Sequence, residues 1–252
     1  MMPANTKAIF QEMFADFKDY YVLIGGTATS IVLDSQGFKS RTTKDYDMVI
    51  IDELKNKEFY NTLNHFLELG EYQGSQKDEK AQLFRFTTTK PEFPSMIELF
   101  SILPQYPLKK DGREIPLHFD QDASLSALLL DEDYYNILVH EKDTIQGYSV
   151  LSNRGLIIFK AKAWLDMRER SATGAQGLSK SIKKHLNDIT RLTASLLGDE
   201  KLSAITSSSA VKADMHRFVI ELEPVKSTIP QNDDISLDQN EIFEILKNFL
   251  DG

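Results

Sequence analysis

Asp45 and Asp47 stand two residues apart in "DYDMVII", an apolar run that reads as a buried strand. Side chains two apart in a strand point to the same face, so the two carboxylates project together while Tyr46 projects to the other side. Bare carboxylates so placed repel one another. In a half-buried site a divalent cation relieves that repulsion, and Mg²⁺ suits paired carboxylates that leave coordination positions open for phosphate oxygens. Two solvent-facing aspartates on an edge strand would need no ion, so the spacing alone leaves both possibilities standing. Gly25 and Gly26 in "VLIGGTA" occupy a strand-to-helix junction, where missing side chains let backbone amides approach a ligand and a helix N-terminus favours phosphate; a glycine pair also serves as a plain tight turn. Glu98 in "SMIELFS" shares a strand face with Met96 and Phe100 and lies opposite to Ile97 and Leu99. A third carboxylate from another strand is what two-metal phosphoryl transfer uses to complete the inner ion and help deprotonate a hydroxyl. An exposed edge-strand glutamate would look the same.

As a combination these residues resemble a known family. The run "GGTA", then R-x-T-x-D-x-D as Arg41, Thr43, Asp45 and Asp47, then Glu98 among apolar residues, resembles the nucleotidyltransferase superfamily that includes DNA polymerase beta. More narrowly, it is similar to the AbiEii/AbiGii toxin-type nucleotidyltransferases of abortive-infection and toxin-antitoxin systems. The match covers residues 20 to 51, with Glu98 as an extension. The resemblance implies that Gly25, Gly26 and Thr27 meet the nucleotide phosphates, that Asp45 and Asp47 hold two Mg²⁺ ions, and that Glu98 is the third acid. Arg41 and Thr43 fall in the family's lead-in to the aspartates, where Arg41 either meets the nucleotide or braces its loop.

A second, weaker match lies further on. "LIIFKAKAWLDMRER" and "KKHLNDITRL" resemble the family's later segment, in which a helix with K-x-x-A precedes one with a basic residue and a D-[IL] pair; Lys160 and Asp188 correspond. A lysine there would clamp a triphosphate, since an ammonium is a good partner for phosphate oxygens, and Lys162 is a rival for the role. Asp188 either orients Lys160 or pairs with Lys184 four residues before it. The chain departs from the family at His185, where an aspartate is usual, and in a longer loop between the two helices.

The elements that must carry these residues are legible from periodicity. Residues 5 to 19 place Ile9, Phe10, Met13, Phe14 and Phe17 at helical spacing, "YYVLIGG" reads as a short strand, and a helix follows from Thr27 as N-cap. After "DYDMVII" come an amphipathic helix closed by Gly70 and two strands, "AQLFRFTTT" and "SMIELFSIL", joined by the turn "KPEFP". "LSALLLDEDYYNIL" reads as helix and "TIQGYSVLS" as one further strand. From Asn153 the pattern is helical, through "RGLIIFKAKAWLDMRER", "SKSIKKHLNDITRLTASLL" and "QNEIFEILKNFLD", with Trp164 as a core residue. The expected fold is α+β, a nucleotidyltransferase-like mixed sheet flanked by helices over residues 1–152, followed by a mainly helical domain over 153–252.

Composition narrows the setting. With 252 residues, 41% hydrophobic content and no cysteine, the chain can bury a core but builds neither disulfides nor thiolate metal sites. Its start lacks a signal-peptide pattern and no apolar run is long enough to span a bilayer, so a cytoplasmic address is expected. A net charge of −9 argues against a general nucleic-acid coat. Arg85, on an apolar strand, either faces the site or pairs with Glu98, and His185, without His or Cys near it in sequence, reads as structural. Walker A, HExxH and GxSxG motifs do not occur. The expected activity is Mg²⁺-dependent transfer of a nucleoside monophosphate from an NTP to a hydroxyl on an RNA end, especially tRNA, or on a protein side chain, with an antitoxin protein as a possible partner. The alternatives are a catalytically silent nucleotide- or partner-binding module on the same fold and a small-molecule transferase.

Overall fold

The computed structural model describes residues 4–41, 43–51, 56–77, 80–100, 108–110, 113–115, 131–196, 198 and 200–252. They form two compact units. The first takes residues Met1–Ile31, Ser40–Leu130 and Lys142–Leu151; the second takes Val32–Lys39, Asp131–Glu141 and Ser152–Gly252. The helical second unit therefore begins its main run at Ser152 and also recruits two earlier segments.

In the first unit, α1 (Ala4–Met13), β1 (Tyr21–Ile24), α2 (Gly25–Ser35), β2 (Asp45–Ile50) and α3 (Lys57–Leu69) precede three strands, β3 (Gln73–Lys77), β4 (Lys80–Thr87) and β5 (Met96–Phe100). A small separate hairpin, β6 (Leu108–Lys110) with β7 (Arg113–Ile115), and the pair β8 (Lys142–Ile145) and β9 (Tyr148–Leu151) complete it. The mixed seven-stranded sheet has the order β3-β4-β5-β2-β1-β9-β8. At its centre β2 runs parallel to β5 and antiparallel to β1, while β1 runs parallel to β9. The site strands are thus the inner strands of the sheet.

Aromatic packing fixes one face of this sheet. Phe10 of α1 lies 5.1 Å from the Tyr46 ring, 5.7 Å from Tyr21, 5.7 Å from Tyr148 and 5.5 Å from Phe66 of α3. All five side chains are fully buried. In α3, Phe59, Leu63 and Phe66 repeat at i, i+4 and i+7 to form its buried stripe, and Asn56 caps its start by accepting from the Glu58 and Phe59 amides at 2.8 and 3.2 Å. Because Tyr46 is committed to this core, its neighbours Asp45 and Asp47 must lie on the opposite face.

Several expectations need adjustment. Helix α2 starts at Gly25, two residues earlier than expected, and Thr27 does not cap it: the positive φ of Gly25, 68°, turns the chain directly from strand to helix. "TIQGYSVLS" holds parts of two strands, joined by Gln146 and Gly147 at φ 50° and 82°, the left-handed pair of a tight hairpin. Strand β3 escapes the sequence pattern because "QGSQK" has no apolar alternation. The tail of "SMIELFSIL" after Phe100 and the first part of "LSALLLDEDYYNIL" lie outside the described residues.

The second unit contains α4 (Glu132–His140), α5 (Asn153–Ala172), α6 (Ser179–Ala194), α7 (Ser209–Leu222) and α8 (Gln239–Leu250), with 3₁₀ turns at Leu202–Ala204 and Glu223–Thr228. Helices α5, α6 and α8 match the three helical segments read from the sequence; α7 is additional, burying Val211, Met215, Phe218, Val219 and Leu222. Trp164 is core, 1% exposed, with Phe218 packed edge-on at 5.1 Å. A full capping box, Asp238 with Glu241, starts α8.

The tyrosine cluster carries a pH signature. Burial first, and then neighbouring phenols, push the Tyr46 phenol well above its usual range, and burial also raises Tyr21 and Tyr148. A folded-state pKa above the unfolded value means that stability is intact below about pH 10 and lost as pH rises beyond it. The melting temperature should therefore fall steeply above about pH 10, and Tyr46→Phe should make that fall shallower in a pH series of thermal melts.

Candidate active site

The strand alternation places Asp45 and Asp47 half-buried on one face of β2, while Tyr46 and Met48 are fully buried on the other. Further along the same face Val49 is buried, so the carboxylates occupy the open end of the strand. Asp47 sits at a crossing of registers: it lies opposite Ile24, the last residue of β1, and opposite Glu98 of β5. The sheet therefore sets the third predicted acid beside the second.

Gly25 follows Ile24, and its lack of a side chain is what the site requires. A Cβ there would overlap the Asp47 carboxylate, in addition to the strain of a positive φ. At Gly26 a Cβ would overlap the Arg41 guanidinium and would stand 3.3 Å from Thr43 Oγ1. The glycine pair is thus the surface on which Asp47, Arg41 and Thr43 close. Arg41 lies in the loop between α2 and β2, and Ser30 fastens that loop by donating to the Arg41 carbonyl at 3.0 Å.

Thr27 serves the site from below. It is fully buried, and its hydroxyl donates to the Asp45 backbone carbonyl at 2.5 Å, tying α2 to the start of β2. Thr29 donates back to the Gly25 carbonyl at 2.7 Å, and the Ser30 hydroxyl shares its one proton between the Arg41 carbonyl and the Gly26 carbonyl at 3.1 Å. Ser95, just before β5, donates to Asp45 Oδ1 at 3.3 Å, and its amide donates to the Lys44 carbonyl at 3.0 Å. Sequence reading missed Ser30 and Ser95; the signal available for Ser95 was only its place just before the Glu98 strand.

Glu98 is engaged. Arg85, its direct cross-strand neighbour on β4, contacts Glu98 Oε1 through both Nε and an Nη, with the Glu98 side chain 12% exposed. Of the two roles open to Arg85 in the sequence, the structure places it in the ion pair. Among the described residues, no group of three or more His, Cys, Asp or Glu side chains is gathered closely enough to hold a metal ion. As donors, hard carboxylate oxygens at Asp45 and Asp47 fit Mg²⁺, with Glu98 next in register and held by Arg85.

Lys160 and Asp188 belong to the helical unit, where α5 packs on α6. Lys160 Nζ donates to Asp188 Oδ2 at 2.8 Å, with the side chains 5% and 3% exposed. Lys162 pairs instead with Asp214 at 3.0 Å and with Asp166 at 3.6 Å. Lys183 and Lys184 are exposed, so buried Lys160 does not continue a basic surface from them.

No protein-family model matches the chain, and no curated protein matches it. Among solved structures, that of the antibiotic-resistance factor ANT(2'')-Ia, a solution structure, is similar at 12% identity over 90% of this chain and 97% of that one. The TM-score is 0.36, too low to carry an argument.

Two expectations follow. Gly25→Ala should lower the urea midpoint by the equivalent of about 1–3 kcal/mol, through backbone strain and displacement of the Asp47 carboxylate. Lys160→Met alone should cost about 3–5 kcal/mol by taking the ammonium away from a buried carboxylate. Adding Asp188→Leu should restore most of that loss in the same denaturation series.

Proposed function

We propose that this chain transfers a nucleoside monophosphate from an NTP to a hydroxyl acceptor in a Mg²⁺-dependent reaction, with pyrophosphate leaving. The observation that carries the proposal is the juxtaposition of Asp45 and Asp47 on one half-open strand face with the glycine-opened start of α2 and, in register, Glu98. Asp45 and Asp47 would hold two Mg²⁺ ions, which would supply charge stabilisation to the attacking and departing oxygens, and Glu98 would join them as the third acid on release from Arg85.

The chain's own groups have separate tasks in this scheme. The first amides of α2, from Gly25 through Thr27, have no acceptor within the helix and bind phosphate oxygens at its positive end. The Thr27 side chain holds the Asp45 strand against that helix. Arg41 and Thr43, closed over Gly26, flank the phosphates, and Arg85 keeps the Glu98 carboxylate oriented. Asp188 orients the Lys160 ammonium, the role in nucleotide binding that the family resemblance suggests for the pair. With Lys160 buried, the exposed lysines of α6 do not continue through it as a basic track, which favours a protein or small-molecule hydroxyl over an RNA end. A toxin role, with an antitoxin partner and a cytoplasmic address, extends the proposal on the resemblance alone.

Arg85's hold on Glu98 favours one second possibility, a binding module that keeps the fold without turnover. Incubation of the protein with Mg²⁺, each α-labelled NTP in turn and a bacterial lysate separates the two. Label should pass to a macromolecule or small acceptor and be lost in Asp47→Ala, whose melting curve should not fall because one of two like charges is gone. Undiminished transfer by that variant would overturn the assignment; Mg²⁺-dependent NTP binding without any labelled product would establish the module.

A further inference from the structure

Within the helical unit, α5, the first half of α6 and the 3₁₀ segment Glu223–Thr228 line an open cavity of about 720 Å³. That volume is typical of small-molecule sites. Trp164, Ile182, Leu186 and Pro230 supply apolar wall, and Arg168 and Lys183 supply charge; among the described residues no acidic side chain lines it. Three further features of this cavity point to one kind of occupant.

The first is the indole of Trp164. Its ring is the largest apolar group of the wall, while its Nε1–H is shut away from solvent and does not reach the hollow. The second is the start of α6: the cap position is Leu178, no side chain caps the helix, and its first turn holds no acid. Its leading amides are therefore left with positive partial charge and no acceptor from the cap, and Ser179, Ile182 and Lys183, which line the cavity, come from the first five residues of the helix. The third is the arrangement of cations. The Arg168 guanidinium lies 4.5 Å over the Trp164 ring, and among the described residues its ion pair is a long one, 3.7 Å from Glu221. Lys183 makes no ion pair among the described residues.

An uncapped helix start and two cations around an apolar hollow, in a chain of net charge −9, select against cations and against fully polar ligands. We infer that this cavity binds a small amphipathic organic anion, a carboxylate carrying an apolar chain or ring. The head group meets the α6 amides with Lys183 and Arg168, and the apolar body lies against Trp164, Leu186 and Pro230. This site is built wholly from the helical unit and stands independently of the proposed transfer chemistry.

Trp164 is the single tryptophan of the chain, so its indole N–H gives one assignable NMR resonance at the cavity wall. The experiment titrates full-length protein with decanoate and phenylbutyrate below their aggregation concentrations, beside decanamide and decylammonium. A saturable shift of the indole resonance is expected with at least one of the two carboxylates, with about tenfold weaker binding of decanamide and none of decylammonium. Lys183→Glu should weaken carboxylate binding by about tenfold or more. Ala172→Phe, narrowing the cavity from an exposed position, should abolish it, and neither variant should move the melting temperature. Absence of a saturable shift with both carboxylates would overturn the proposal, as would equal binding of decylammonium or unchanged affinity in both variants.

Discussion

A β-strand gives alternate residues to opposite faces, and in β2 that period forces one segment to serve two masters. Tyr46 and Met48 are sealed into the aromatic core under α1 and α3, so Asp45 and Asp47 have no freedom to turn away from each other. The core holds like charges together that would separate in a flexible loop. Everything else near them follows from this constraint: Gly25 must lack a side chain because the Asp47 carboxylate occupies its place, and Thr27 must reach across to the Asp45 carbonyl because the helix begins where β1 ends. The geometry of the carboxylates is thus a property of the hydrophobic core.

The helical unit solves a charge problem differently. Lys160 and Asp188 are buried as an ion pair between α5 and α6; replacing such a pair by apolar side chains is often neutral, whereas removing one member is not. At the start of α6, by contrast, no side chain caps the helix, and among the described residues the buried Trp164 indole N–H has no partner.

What the sequence revealed and what it hid divide along physical lines. Period-two alternation was enough to place Asp45 and Asp47 on one face and Tyr46 on the other, and apolar periodicity found α3, α5, α6 and α8. The approach of Gly25 to Asp47 was foreshadowed only as a glycine turn, because the contact depends on the antiparallel register of β1 with β2. The Arg85–Glu98 pair was one of two open possibilities until β4 and β5 were aligned residue by residue. Polar β3 gave no periodic signal at all, and the cavity, drawn from residues between 164 and 230, has no local motif to detect.

The polar composition of β3 has a meaning of its own. It is one outer strand of the seven, and the other, β8, reads "KDTI", with Lys142 held to Asp19 at 2.8 Å. Both outer strands of the described sheet are therefore mainly charged or polar, with Ile145 the one large apolar residue between them, and neither offers a long apolar ladder on which a second chain would add a strand. Among the described residues the sheet thus ends on two strands whose sequences give an incoming strand little apolar surface to pack on.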